Sequence, residues 1–168
     1  MTETILKKII LTNIPNYYVT DENCENLYYK ALANGIPRVL IGPSSMRSAE
    51  EFAARGVKTG VSIAYPSGTV CPELKVQEIR DCEAESKIAD MYFVTAAVGY
   101  FMSGHEENLA QEARLCKEAS GKPVYLIIEA AEMPDEYLEK LCRTAKKEEI
   151  KGILLSTAFM PYDIKRPG

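Results

Sequence analysis

The chain predicts an α/β fold built on a parallel sheet, and three observations carry that prediction. From residue 7 onward, short β-rich runs alternate with longer segments of helical period, the mark of repeated βα units. The strand cores read as near-continuous apolar runs (KIIL, RVLI, YLII, GILL) rather than strict alternation, as expected of strands covered on both faces. The 168 residues, 46% hydrophobic and 26% charged, supply one core and fall short of two well-packed ones. Residues 1–168 therefore read as a single domain, with an N-terminal extension over 1–6 and a tail over 160–168. From these features alone, an open doubly wound sheet is the architecture expected for six strands.

The first strand is expected over residues 8–12. Thr20 and Asp21 offer the N-cap of the next helix, in which Cys24, Leu27, Tyr28 and Ala31 repeat at i, i+3, i+4 and i+7 and form one apolar stripe. Gly35 ends that helix, and the second strand covers residues 38–41. Ser48 with Glu51 reads as a capping box for the second helix, and Gly56 stands where a C′ glycine belongs. The third strand is expected over 57–64, and Pro72 at a first-turn position opens the helix after it. The fourth and fifth strands are placed at 91–96 and 124–129. Pro134, likewise read at a first-turn position, introduces the helix with the plainest pattern: Asp135 and Glu136 open it, Leu138, Leu141, Cys142 and Ala145 form its stripe, and Lys146 and Lys147 close it. The sixth strand is expected over 150–156.

Composition excludes several function classes. Lysine and arginine total 20 against 24 aspartate and glutamate, a net charge of −4 with no block of like charges, so nucleic acid is not an expected partner. No apolar run reaches the roughly 18 residues of a membrane span, and residues 1–8 lack the apolar stretch of a signal peptide, so no membrane association and a cytoplasmic location are expected. The five cysteines, at 24, 71, 82, 116 and 142, form no C-x-x-C pair; neither a disulfide framework nor a zinc site is expected. Cys24, Cys82, Cys116 and Cys142 fall in helices, mostly within the apolar stripe, where a thiol acts as a small hydrophobe. His105 is the only histidine, so a Ser-His-Asp triad or a multi-histidine metal site cannot be assembled, and its place between Gly104 and Glu106 suits a helix start. Neither G-x-x-x-x-G-K-[ST] nor G-x-G-x-x-G occurs, and the first strand ends Leu11-Thr12-Asn13 without the acidic residues of a phospho-acceptor. No cofactor and no metal are expected.

In parallel α/β folds, ligands meet the C-terminal ends of the strands. The residues there are Gly42-Pro43-Ser44-Ser45, Tyr65-Pro66-Ser67-Gly68-Thr69, Gly99 and Ser103-Gly104, Glu129, and Ser156-Thr157. Such a rim offers backbone N–H groups and hydroxyls to a phosphate or carbonyl oxygen. No lysine lies inside an expected strand; Lys151 opens the sixth at the end away from this rim.

The run Y-P-S-G-T-V-C-P-E-L-K from Tyr65 to Lys75 resembles the F-P-x-G-x-x-x-x-E-x-K segment of deoxyribose-phosphate aldolases, which are class I aldolases on a (β/α)8 barrel. Ile41-Gly42-Pro43, Ser103-Gly104, Ile127-Ile128-Glu129 and Ser156-Thr157-Ala158-Phe159 resemble that family's V-N-P, S-G, I-I-E and S-T-G-F in the same order. The resemblance implies an aldolase-type (β/α) barrel, incomplete, with about six βα units; eight would need roughly 220 residues. It also places Leu154 at the family's Schiff-base lysine, Leu155 at the following threonine, Phe93 at the strand-four acid and Ala97 at the asparagine after it. The strand-one acidic position lands near Ile10 or Leu11, and the second lysine and main phosphate loops belong to strands seven and eight. A leucine cannot form an imine and a phenylalanine cannot relay a proton. Two functions follow: a non-catalytic or ligand-binding relative, or an active carbon–carbon lyase on a small phosphorylated or carbonyl compound. The candidate ligand-binding residues are Glu129, Ser156, Thr157, Gly42, Ser67 and Gly68. An open barrel leaves edges at strands one and six, so a homo-oligomer, a partner chain or the tail is expected to cover them.

Overall fold

The computed structural model describes residues 6–16 and 18–159; the tail over 160–168 and most of the extension over 1–6 lie outside the described residues. Six strands form one parallel sheet: β1 (Leu11–Thr12), β2 (Arg38–Ile41), β3 (Lys58–Ile63), β4 (Ala89–Thr95), β5 (Val124–Ile127) and β6 (Ile153–Leu154). The helices are α1 (Asp21–Ala33), α2 (Met46–Ala53), α3 (Pro72–Glu85), α4 (Val98–Met102), α5 (Glu106–Ser120) and α6 (Asp135–Lys147), with 3₁₀ turns at Pro43–Ser45 and Ala130–Glu132.

Strand order runs β1-β2-β3-β4-β5-β6 without reversal. A doubly wound sheet needs a reversal point so that later helices cross to the other face. Here the helices share one face. Cys24, Tyr28 and Ala31 of α1, Met46 and Phe52 of α2 and Val76 and Ile79 of α3 pack with Val39, Ile41, Val61, Ile63, Tyr92 and Val94 of the sheet. Leu109 of α5 and Leu141 and Ala145 of α6 continue that layer against Leu126 and Ile128. The alternate positions Leu40, Met91, Phe93 and Ile127, with Ile10, Tyr125 and Leu154, form a separate cluster that contains no helix residue. The fold is therefore the half-barrel of an incomplete aldolase-type (β/α) barrel, and the doubly wound alternative is corrected.

Phe93 sits at the centre of this inner cluster, fully buried, with its ring stacked on Tyr125 at 4.7 Å between centroids. The neighbouring strand makes room for it: a Cβ on Gly60 would lie 2.5 Å from the Phe93 ring. Leu154 packs at the margin of the same cluster from β6.

Local signals explain most element limits. Thr20 caps α1 in a reciprocal box with Asn23, whose N–H donates to Thr20 Oγ1 at 3.2 Å while Thr20 N–H donates to Asn23 Oδ1 at 3.1 Å. All four residues of its expected stripe are buried. Four local expectations are corrected. Ser48 does not cap α2, because the chain enters that helix through the 3₁₀ turn at Pro43–Ser45; the Ser48 hydroxyl instead donates to Asp21 across the α1–α2 contact. Pro134 is the N-cap of α6 rather than a residue of its first turn. Cys142 is exposed, because Leu141 and Ala145 take the buried side of α6. The first and sixth strands, at the edges, pair over only two residues each. Among the described residues, no helix is long and apolar enough to cross a membrane.

Candidate functional site

The C-terminal ends of β3 to β6 build a cleft of about 390 Å³. Its first wall is the loop after β3. Ala64 turns with φ 54°, the Tyr65–Pro66 peptide is cis, and Gly68 N–H donates to Ala64 O at 2.9 Å, which closes the loop on itself. Gly68, at φ +66°, lies flat on the end of β4, where a Cβ would sit 2.4 Å from Thr95 O. That close approach is why the position takes glycine. Pro66, Ser67 and Thr69 thereby face the cleft.

Thr95, from the end of β4, is 1% exposed and lines the cleft, and its Oγ1 has no hydrogen-bond partner among the described residues. Glu129 lies two residues after β5, at the start of the 3₁₀ turn, and is tied to the segment after β6: its Oε2 accepts the Thr157 N–H at 3.0 Å and the Thr157 hydroxyl at 2.7 Å. Tyr65 clamps the same segment from the other side, donating its phenol to Thr157 O at 2.7 Å, with its ring edge-on to Phe159. Burial, reinforced by the Glu129 charge, pushes the Tyr65 phenol up to about 12, so it keeps the proton it donates across the neutral range.

The structure thus brings Ser67, Glu129 and Thr157 to one cleft. Gly42 lines a separate cleft of about 260 Å³ on the far side of Tyr65, with Ser44, Ser62 and Glu78. Burial raises the Glu78 carboxyl above its usual range, against the pull of the Ala64 N–H it accepts at 2.9 Å. Gly68 is a backbone-contact glycine outside the cleft lining, and the Ser156 hydroxyl is occupied locally, accepting the Ala158 N–H at 3.0 Å. Phe93 and Leu154 lie below the cleft in the apolar inner cluster. Among the described residues, no three His, Cys, Asp or Glu side chains gather as a metal site would require.

Sequence reading missed two features here. Thr95 belongs to an apolar strand run, one residue short of the rim. Lys75, completely buried on α3, donates to Thr95 O at 2.7 Å and to Glu112 Oε2 of α5 at 2.6 Å. The available signal was positional: Lys75 stands four residues before Ile79 and seven before Cys82, and Glu112 lies among Leu109, Ala113 and Cys116, so opposite charges occupy the buried stripes of two helices. Burial raises the Glu112 carboxyl, and the Lys75 ammonium pulls it back down.

No family model matches the chain. The deoxyribose-phosphate aldolase of Methanothermobacter thermautotrophicus is 26% identical over 141 residues, which cover 83% of this chain and 62% of that protein. The chain therefore spans under two thirds of the length of this relative. A putative deoxyribose-phosphate aldolase from Coccidioides immitis superposes with a TM-score of 0.86 at 16% identity, covering 97% of this chain and 64% of that one. The tetrameric deoxyribose phosphate aldolase from Aeropyrum pernix superposes with a TM-score of 0.77 at 22% identity, covering 93% of this chain and 66% of that one. With fold, strand order and sequence likeness in agreement, the chain is a relative of the deoxyribose-phosphate aldolase family, built on an incomplete aldolase-type barrel.

Proposed function

We propose that this chain is a non-catalytic relative that keeps the aldolase scaffold to bind a small ligand in the cleft formed by Ser67, Thr95, Glu129 and Thr157. One observation carries the reading. The inner cluster, where the family resemblance places the Schiff-base lysine and its acid, is filled by Leu154 and by a Phe93 ring that is completely buried and stacked on Tyr125. Of the described lysines, the buried one is Lys75, and its Nζ is engaged by Glu112 and the Thr95 carbonyl, outside the inner cluster.

Electrostatics discriminates between the two ligand classes that the rim suggests. Glu129 and Glu132 both line the cleft, and no Lys or Arg does so among the described residues. A phosphorylated compound would meet two carboxylates without a counter-charge. A neutral carbonyl or hydroxyl compound suits the unpaired Thr95 hydroxyl better. Borohydride reduction in the presence of stoichiometric small aldehydes tests the non-catalytic reading. The expected outcome is an unmodified chain mass. A stoichiometric adduct on one lysine, located by peptide mass spectrometry, establishes the alternative, an active carbon–carbon lyase whose lysine comes from outside the inner cluster or from a neighbouring chain.

The open edges at β1 and β6, with Leu155 61% exposed beside β6, support self-association. A second copy of the chain covers them in this reading, so light scattering at micromolar concentration returns at least twice the 18.7 kDa chain mass. A monodisperse monomer contradicts it. Five free cysteines, three of them buried, suit a reducing compartment, and we place the chain in the cytoplasm.

A further inference from the structure

A second cavity, of about 460 Å³, opens between the start of α3, α4 and α5. Val70, Pro72, Ala97 and Tyr100 give it apolar walls, and Asn108 and Glu112 give it polar groups. Glu112 is only 5% exposed, and its two oxygens are used unequally. Oε2 takes the Lys75 ammonium at 2.6 Å, whereas among the described residues no donor reaches Oε1. Lys75 is held in place by its second bond, to Thr95 O at 2.7 Å. A buried carboxylate oxygen without a donor is costly, and the cavity that the Glu112 residue lines is the nearest space from which a donor can come.

We propose that this cavity is a second binding site, for a small neutral molecule with an apolar body and a hydroxyl group that donates to Glu112 Oε1. Three features select that chemistry. An ionised carboxylate oxygen only accepts, so the ligand must bring the hydrogen. The Lys75 ammonium already neutralises Glu112, so a ligand cation would face an unbalanced like charge and a ligand anion would face the carboxylate. The walls around the carboxylate are mainly apolar, and the volume suits a single ring and its substituent. This site is separate from the barrel-mouth cleft and does not depend on what that cleft binds.

Cys71 lines the cavity and is exposed, while Cys142 is exposed on α6 outside it, so the chain carries its own reporter and control. The experiment measures iodoacetamide alkylation of both thiols by peptide mass spectrometry, with benzyl alcohol as the probe and benzylammonium and benzoate as comparators. Alkylation of Cys71 is expected to slow saturably, about tenfold once benzyl alcohol reaches about ten times its half-effect concentration, with Cys142 unchanged. The two charged comparators are expected to protect less at equal concentration. Glu112→Gln is expected to abolish the protection, because its amide N–H2 replaces the accepting oxygen. Should that variant fail to fold, Asn108→Phe fills the cavity from α5 without touching the ion pair and is expected to abolish protection as well. The proposal is overturned by unprotected Cys71 at saturating alcohol, by equal protection from all three compounds, by parallel slowing of Cys142, or by protection that survives Asn108→Phe.

Discussion

Lys75→Met is expected to destabilise the chain by about 3–5 kcal/mol, the usual cost of removing one member of a buried ion pair. The variant takes from the buried Glu112 carboxylate the Lys75 charge paired with it, and from the Thr95 carbonyl its only side-chain donor among the described residues. The deficit depends on pH with a definite sign. Burial already raises the Glu112 carboxyl, and Lys75 is the group that lowers it, so the variant's folded-state pKa rises further above the unfolded value. A carboxyl raised on folding is harmless where it is protonated in both states; its penalty grows as pH climbs past the unfolded-state pKa and is complete above the folded-state one. The difference between wild type and variant in urea midpoint is therefore smallest below the ordinary carboxylate range and largest at neutral pH. The double variant Lys75→Met with Glu112→Leu recovers most of the loss, because two apolar side chains of similar volume remove both desolvation penalties.

Gly68→Ala is the second large effect, about 2–5 kcal/mol, combining the left-handed backbone cost with overpacking. The new Cβ would lie 2.4 Å from Thr95 O and 2.8 Å from the Ala96 carbonyl carbon, and both are backbone atoms that cannot rotate away. The loop at 65–69 must lift from β4, which also pulls Ser67 out of the cleft. Gly35→Ala is the control: it has nearly the same φ, +63°, and nothing within 4 Å of its Cβ. Its cost is expected to stay near the conformational cost alone, about 1–2 kcal/mol. Chemical denaturation of the two variants side by side separates contact from backbone strain, and equal losses would contradict the assignment.

Much of this fold was legible in the residues, for reasons that can be named. The α1 stripe was readable because helix periodicity and one-sided burial coincide there, and all four of its positions are buried. The strand β2 begins and ends where the apolar run RVLI does. The edge strands were overestimated because apolar runs report burial, whereas strand pairing needs a partner, and among the described residues β1 and β6 each pair on one side only. Cys142 misled because it lies four residues from Leu138, yet only one side of α6 meets the rest of the protein. Apolar strands alone do not tell a doubly wound sheet from a half-barrel, since both bury two faces; strand order decides, and order appears only in pairing.

The cleft was legible where polar residues close an apolar run, as Glu129, Ser67 and the Ser156-Thr157 pair do. Gly42 also follows an apolar run but belongs to another cleft, one that is lined by Tyr65, whose phenol reaches across to Thr157 O. Thr95 and the Lys75–Glu112 pair were hidden, since a hydroxyl inside a strand run and a charge inside a helix stripe become informative only when their partners are known.

In the proposed function the barrel mouth binds a small neutral carbonyl compound, and Leu154 and Phe93 leave it without chemistry. Nuclear magnetic resonance tests both halves in one sample of ¹⁵N-labelled protein titrated with ¹³C-labelled glycolaldehyde. The expected result is saturable shifts of the Ser67, Thr95, Glu129 and Thr157 amides with no new carbon resonance from the aldehyde. An imine carbon, a carbon–carbon coupled product, or the absence of shifts at those four amides would contradict it.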